Sequence, residues 1–435
     1  MRRSRLLADV GQLAAAAAAA RLLGLGYRVV LARAVGAEAL GLFQLALPIY
    51  LVVLTACSLG LSAAVTQMVA AAAAQGDLGR AARIRRRAAW IAGCAATVGT
   101  LVLLVVAPRL GNALLRDPRA AAPLAVLAWA LPLAALQGIY RGYWQGLRRM
   151  VRVGVAPIGE NVVRLVVLGL WLALAPILAP AAAAAAAAGL VVLGELVGLI
   201  TVTAGARRDP AVVPPGAEGP DVGRMLGVSL PVAMSRMAGT MGMALDAALI
   251  PARLIAGGAD ALSATAAFGR FMGMVMPLVT FPTVLMGAAT AALVPAVAEA
   301  WARGKREAIR RRAAAAAGAA GAIGIGTALA LSSGAGWLGQ VIYGQAHLGP
   351  LLAEGALIAP GLFLSMGSGA VLHGLGRTGL SLGCQVAGGL CRLGLILIWV
   401  APMGIAGAAL ATAVGFAVTA AGEWIAVAAL LRRGA

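Results

Sequence analysis

Several ionisable side chains lie inside long apolar stretches of the chain. They are Arg21, Arg28, Glu160, Arg164 and Glu195 in the first half, and Arg236, Asp246, Arg270, Glu354, Arg392 and Glu423 in the second half. At the middle of a bilayer such a group costs at least about 2.5 kcal/mol unless it faces water or a partner. These residues are therefore the first candidates for ligand binding or ion binding.

Four of the arginines have too few acidic neighbours in the sequence to be neutralised in pairs. Arg21 and Arg28 are seven residues apart, so they share one face of a helix. Together with Arg236 and Arg270 they predict a water-filled cavity that binds an anion. One guanidinium group can bind two phosphate oxygens at once, so a pyrophosphate is a suitable ligand.

Glu160 and Arg164 are four residues apart and can pair on one helix face. Two interpretations stay open, a structural ion pair and a place in the binding site, with Arg164 in the cavity and Glu160 in cation or proton coupling. Asp246 is interpreted as an unpaired carboxylate that binds Na⁺ or a proton, with Gln385 and Thr412 as co-ligands. The alternative for Asp246 is an interfacial carboxylate in water.

Residue patterns typical of enzymes do not occur in the sequence. Neither a GxSxG motif nor a GxxxxGK[ST] phosphate-binding loop is present, so ATP is not an energy source within this chain. His347 and His373 lie far apart, and the four cysteines form no CxxC pair of the kind that binds metals. We therefore predict no catalytic residues, no metal site and no cofactor beyond a coupling Na⁺ or proton.

The composition indicates a membrane protein. Hydrophobic residues make up 62% of the 435 residues and charged residues only 11%, against 45–50% and about 25% in soluble domains. The net charge of +20 comes from arginines in short breaks between apolar blocks, and only 4% of residues are aromatic. A nucleic-acid surface would instead gather basic and aromatic residues on one solvated face, so nucleic acid is excluded as a partner.

Hydropathy predicts an all-α polytopic membrane protein with about twelve transmembrane helices, because each apolar block is near the 20 residues that cross a bilayer. The first block is interpreted as a retained span, not a cleaved signal peptide. Pro48 predicts a kink or tilt in the second span, and Pro277 and Pro282 do so in the eighth. The predicted spans are 10–34, 41–69, 88–107, 123–140, 153–178, 181–203, 222–245, 264–295, 313–332, 349–373, 379–400 and 404–431.

The distribution of basic residues predicts that both termini are cytoplasmic, because this orientation places most of the 35 lysines and arginines inside. The polar, proline-rich segment 207–221 is a predicted cytoplasmic linker between two six-helix lobes, 1–206 and 222–435. The lobes are predicted to be parallel repeats, since each contains a Gly-x-Phe motif (41–43 and 269–271) and a later Ile-Arg-Arg-Arg motif (84–87 and 309–312).

Two specific motifs occur in the chain, Tyr-Arg-x-x-Leu-Ala-Arg-x-x-Gly-Ala-Glu at 27–38 and Leu-Asp-Ala-x-Leu-Ile-Pro at 245–251. Further characteristic stretches are 142–149, 230–254, 277–299 and 373–377. These stretches, in order over nearly the whole chain, resemble the stage V sporulation protein B family of oligosaccharide flippases. This family is part of the superfamily that also contains multidrug (MATE) exporters and lipid II flippases.

The resemblance implies two six-helix lobes around a central cavity that alternates between the two faces of the cell membrane. The cargo would be an undecaprenyl-pyrophosphate-linked glycan, a precursor of peptidoglycan or another envelope polysaccharide. Arg21 and Arg270 match cavity arginines of similar lipid II flippases, and Asp246 matches their sodium-site aspartate. Arg28 lies one position away from the corresponding cavity arginine of those flippases, and the second span, 41–69, contains no arginine.

The implied partners are the lipid-linked oligosaccharide and membrane lipids, and the chain is expected to be a monomer. The chain is shorter than typical members, and a pair of C-terminal spans is expected to be missing. The main alternative is a cation-coupled multidrug exporter, which would favour acidic and aromatic side chains in its cavity. A membrane-embedded glycosyltransferase would need structured outer loops, and a scaffold in spore or envelope assembly would need no buried charges.

Overall fold

A computed structural model describes residues 2–174, 178–206 and 222–432 of the chain. These residues form helices joined by short turns, and no strand occurs among them. Eleven helices are long and apolar enough to cross a membrane, and a bent pair of helices brings the number to 12. The prediction of an all-α, multi-pass membrane protein with about twelve spans is confirmed.

Contacts within the chain divide it into two compact units, Met1–Ala244 and Leu245–Ala435. The first unit contains α1 (Arg2–Ser58), α2 (Leu61–Ala74), α3 (Leu78–Arg109), α4 (Ala121–Ala128), α5 (Ala130–Gly146), α6 (Met150–Leu174), α7 (Pro180–Ala206) and the first part of α8 (Val222–Ala256). A π-helical turn, Leu110–Leu114, extends α3. A 42° bend separates Pro118–Ala128 from α5, and these two segments form the bent span.

The second unit contains the rest of α8, α9 (Ala261–Gly269), α10 (Met276–Thr280), α11 (Thr283–Ala302), α12 (Arg306–Ser333), α13 (Ala335–Tyr343), α14 (Gly349–Ala356), α15 (Ile358–Gly374), α16 (Thr378–Met403) and α17 (Ile405–Arg432). A π-helical segment, Arg270–Val275, joins α9 to α10. The predicted linker 207–221 lies outside the described residues. The lobe boundaries 1–206 and 222–435 and the orientation of the termini remain predictions.

The first two predicted spans are one long helical run with two breaks. Gly36 has φ 76°, which favours glycine, and it lies between the two predicted spans. The run also leaves helical geometry at Leu59 (φ 47°) and Gly60 (φ 65°), whereas Pro48 stays inside α1. A Cβ atom at Gly60 would lie 2.4 Å from the carbonyl oxygen of Ser229, so this close approach of α8 requires glycine.

The predicted eighth span, 264–295, covers parts of two candidate spans, Ala261–Thr280 and Thr283–Ala302. Here α10 ends at Thr280 and α11 begins at Thr283, with Pro282 at its N-terminus. Proline lacks the N–H that would continue the hydrogen-bond ladder. The prolines predicted a kink or tilt of a single span, and the structure has a break between two helices instead.

Each unit has its own apolar core. In the first unit Trp144 is fully buried, and its indole nitrogen donates to the carbonyl of Val202 at 2.9 Å, which joins α5 to α7. In the second unit α11, α12, α15 and α17 pack around Val297, Ile309, Val371 and similar side chains. Large apolar side chains also cover the outside, as expected of a surface that faces lipid.

Candidate functional site

One buried polar cluster lies in the first unit and is centred on Arg164 of α6. Its Nη2 atom is 3.7 Å from Glu160 Oε2, one turn earlier on the same helix, and 3.7 Å from Glu195 Oε1 on α7. Its Nε donates to the carbonyl of Leu190 at 3.3 Å. The predicted pairing of Glu160 with Arg164 is confirmed, and a second acid, Glu195, shares the same guanidinium.

Gln137 on α5 completes what we call the Arg164 cluster (Gln137, Glu160, Arg164 and Glu195). Its Nε2 donates to Glu160 Oε1 at 2.5 Å. Gly198 on α7 provides the space, because a Cβ atom there would lie 1.8 Å from Gln137 Nε2 and 2.4 Å from Glu160 Oε1. Glu160 and the Gln137 amide thus occupy space that only glycine leaves beside α7.

The other predicted cavity arginines of the first unit have a different environment. Arg21 and Arg28 on α1 and Arg236 on α8 have exposed side chains, whereas Arg164 is 14% exposed and lies against acids. The spacing of Arg21 and Arg28 places both on one face of α1. Tyr27, which directly precedes Arg28 in the sequence, is buried. The roles of all four as ligands for cargo remain predictions.

In the second unit Asp246 on α8 pairs with Arg392 on α16, with Oδ2 and Nη1 3.0 Å apart. Asp246 is 5% exposed. The expectation of an unpaired carboxylate was wrong, because its partner follows 146 positions later, on a helix that only the fold brings close. The other carboxylate oxygen, Oδ1, is buried and has no hydrogen-bond partner among the described residues.

The two proposed co-ligands of Asp246 make their hydrogen bonds elsewhere. Thr412 donates to the carbonyl of Ala408 in its own helix, α17. Gln385 donates from Nε2 to Ser381 Oγ at 3.1 Å. Gln385 therefore belongs to a different group of side chains, around Glu423.

Glu423 on α17 is completely buried and accepts hydrogen bonds from two serines. Its Oε1 is 2.6 Å from Ser381 Oγ on α16, and its Oε2 is 2.6 Å from Ser368 Oγ on α15. We call these residues, with Gln385, the Glu423 network. Glu423 and Gln385 were predicted as candidates from the sequence, but the two serines were not, although each is a hydroxyl on an otherwise apolar span.

Arg270 lies at the start of the π-helical segment that follows α9. It lines a cavity of about 270 Å³ within the second unit, together with His347, Glu354, Leu351 and Met403 among other residues. Its Nε is buried and has no hydrogen-bond partner among the described residues. A guanidinium with an unused donor beside a cavity can bind an anionic or carbonyl oxygen.

The family model of polysaccharide biosynthesis proteins matches residues 6–301 of the chain. The stage V sporulation protein B of Bacillus subtilis (strain 168) is 28% identical over 420 residues, which are 93% of this chain and 80% of that protein.

Solved transporters have the same fold. An inward-facing multidrug resistance MATE family transporter of the MOP superfamily superposes with a TM-score of 0.78 at 16% identity, covering 96% of each chain. A MOP superfamily transporter from Pyrococcus furiosus, described as having a binding pocket of reverse polarity, gives 0.68 at 16% identity over 97% of this chain and 95% of that one. A mutant Vibrio cholerae MATE transporter superposes with a TM-score of 0.68 at 18% identity, covering 99% of this chain and 98% of that one.

Proposed function

Because the chain belongs to the family of polysaccharide biosynthesis proteins, we propose that it is a flippase for an undecaprenyl-pyrophosphate-linked glycan precursor. It would act as a monomer and carry the glycan to the outer leaflet of the cell membrane by alternating access. The prenyl tail stays in lipid while the diphosphate and sugars occupy an aqueous, basic surface.

The observation that carries this proposal is the exposure of Arg21, Arg28 and Arg236 on apolar helices. A guanidinium that faces hydrocarbon is costly, so exposed arginines at these positions favour a water-filled surface. In the second unit Arg270 adds an unused donor beside a cavity. Arginine binds the paired oxygens of a diphosphate better than a point charge does.

Membrane energetics are consistent with an anionic cargo. An inside-negative potential assists outward movement of an anion by about 2.3 kcal/mol per charge per 100 mV. The return of the empty carrier then needs a coupling ion, for which Asp246 and Glu160 remain our proposed Na⁺ or H⁺ sites. At Asp246 the ion competes with Arg392 for the same carboxylate.

The test is the leaflet accessibility of a labelled lipid-linked precursor in proteoliposomes, with and without Na⁺ and pH gradients. Arg21→Ala and Arg270→Ala are expected to abolish flipping while the protein stays folded. Arg311→Ala is the matched control, since Arg311 is 78% exposed and pairs only with Glu307 at 3.6 Å among the described acids. Full activity of both cavity variants would refute the basic-cavity mechanism.

A cation-coupled multidrug exporter is the second candidate, which is favoured by the fold of the MATE transporters. Such an exporter takes cationic cargo, and the buried Glu160 and the half-buried Glu195 are the acids that would attract it. The same proteoliposomes distinguish the two functions. Transport of a lipophilic cation that survives Arg21→Ala and Arg270→Ala, without flipping of the glycan lipid, would support the exporter.

A further inference from the structure

The start of α3 carries a dense group of positive charges. The arginines of this group lie within eight consecutive residues and are Arg80, Arg83, Arg85, Arg86 and Arg87. Asp77 accepts from the backbone N–H of Arg80 and lies 3.8 Å from Arg83 Nη2. No acid of the described residues lies within 4.0 Å of the other three guanidinium groups. This end of α3 therefore has a large excess of positive charge.

Arg85 is held against the neighbouring helix α5 by aromatic rings. Its guanidinium carbon lies 4.7 Å from the centre of the Tyr143 ring and 5.4 Å from that of Tyr140. The rings attract the cation but have no net charge, so they do not cancel its charge. Its Nη1 atom is buried and has no hydrogen-bond partner among the described residues. Arg85 thus adds a fixed positive charge behind the surface of α3.

Arg86 and Arg87 lie on that surface beside Trp90. Both arginines are exposed, and Trp90 is 72% exposed. Residues three and four apart are neighbours on a helix, so both arginines lie one turn from the indole ring. Tryptophan is enriched at the level of lipid headgroups. The helical span Leu78–Leu114 has 37 residues, more than the about 20 that cross the hydrocarbon, so its basic start extends to that level.

The same face of α3 continues as an apolar surface beyond Trp90. Cys94, Val98, Leu101 and Val105 follow at intervals of three and four residues, and all four are exposed. Side chains at these intervals lie on one side of a helix. One face of α3 therefore presents cations, then an indole ring and then apolar side chains. A phospholipid has the matching order of phosphate, ester groups and acyl chains.

The basic start of α12 is different. Glu307 lies in the first turn of α12 and is 3.6 Å from Arg311. The helix contains no tryptophan. The first turn of α3 contains no acid, and its arginines are followed by Trp90. Charge and aromatic content thus distinguish α3 from an ordinary basic helix start.

We propose that this face of α3 is a binding site for an anionic phospholipid. The phosphate binds to Arg86 and Arg87, since a guanidinium group can bind two phosphate oxygens. The ester groups lie beside Trp90, and an acyl chain lies along Leu101 and Val105. A zwitterionic headgroup is a weaker ligand, because no carboxylate of the described residues lies within 4.0 Å of Arg86 or Arg87 to attract its own cation. The site does not depend on the proposed cargo.

The experiment is tryptophan fluorescence of the purified full chain in phosphatidylcholine vesicles. A minor fraction of the lipid carries bromine on its acyl chains, which quenches an indole on contact. This fraction is either phosphatidylglycerol or phosphatidylcholine. The difference between wild type and Trp90→Phe isolates the signal of Trp90. We expect the brominated phosphatidylglycerol to quench this signal with an apparent affinity about tenfold higher than that of brominated phosphatidylcholine.

Two double variants locate the site, each measured with and without Trp90→Phe. Arg86→Gln/Arg87→Gln is expected to abolish the preference for phosphatidylglycerol. Arg310→Gln/Arg311→Gln is the matched control, because it removes the same charge from exposed positions of α12, and it should keep the preference. Equal quenching by the two brominated lipids in wild type would overturn the proposal. So would a preference that survives the loss of Arg86 and Arg87, or one that both double variants lose, which would assign it to the overall charge of the chain.

Discussion

The Arg164 cluster and the Glu423 network place acids inside apolar helices and neutralise them in different ways. In the first unit two carboxylates share one guanidinium at 3.7 Å each. In the second unit one carboxyl group is held by two hydroxyls and no cation among the described residues. The shared arginine joins α6 to α7, whereas the two hydroxyls join α17 to α15 and α16.

The largest effect is expected from removing the arginine of the first cluster. Arg164→Leu leaves the buried Glu160 and the half-buried Glu195 without their shared cation, which should cost about 3 kcal/mol of stability. Thermal unfolding in detergent measures the loss. Adding Glu160→Gln and Glu195→Gln to this variant should restore most of the stability, and a single variant as stable as wild type would show that the cluster is solvated.

A pair of glycine substitutions compares the space around the two acids. Gly198→Ala forces a Cβ into Gln137 and Glu160 and should cost about 1–3 kcal/mol. Gly369→Ala is the matched variant, because its Cβ would lie 3.6 Å from Glu423 Oε1 and from Ser381 Oγ, an ordinary contact distance. Unfolding temperatures of the two variants should differ clearly, and equal losses would contradict the close packing of the Arg164 cluster.

The smallest change in stability is expected for Glu423→Gln, because glutamine has the same shape as glutamate and can keep a hydrogen bond to each serine. We expect a change within about 1 kcal/mol, a size typical of one neutral hydrogen bond. Chemical denaturation of Glu423→Gln and of Arg164→Leu measures the free energy of unfolding of both variants. A loss in Glu423→Gln as large as in Arg164→Leu would contradict this contrast between the two units.

Much of the fold could be predicted because membrane spans are local features. About twenty apolar residues cross a bilayer whatever their neighbours are, so the number of spans follows from the sequence. The pair of Glu160 and Arg164 was also predictable, since residues four apart meet on one helix. The position of the second-span break was not, because Leu59 and Gly60 leave the helix where α8 approaches the backbone of Gly60.

The partners of the buried acids were harder to predict. Arg392 follows Asp246 by 146 positions, and the serines that contact Glu423 lie on two other helices. A single sequence records which side chains are polar but not which helices are neighbours. For this reason Asp246 was interpreted as unpaired, and Gln385, which donates to Ser381, was assigned to Asp246.

By itself the amino-acid sequence determined that this chain crosses a membrane many times and carries charges at a depth where charges are expensive. Both properties depend on composition and on spacing along one helix. Neither of these changes with the tertiary contacts that the helices make. The tertiary structure decided which acid receives an arginine and which receives only hydroxyls. That choice arises from helix packing, because a hydrogen bond or ion pair between distant residues exists only once the helices have met.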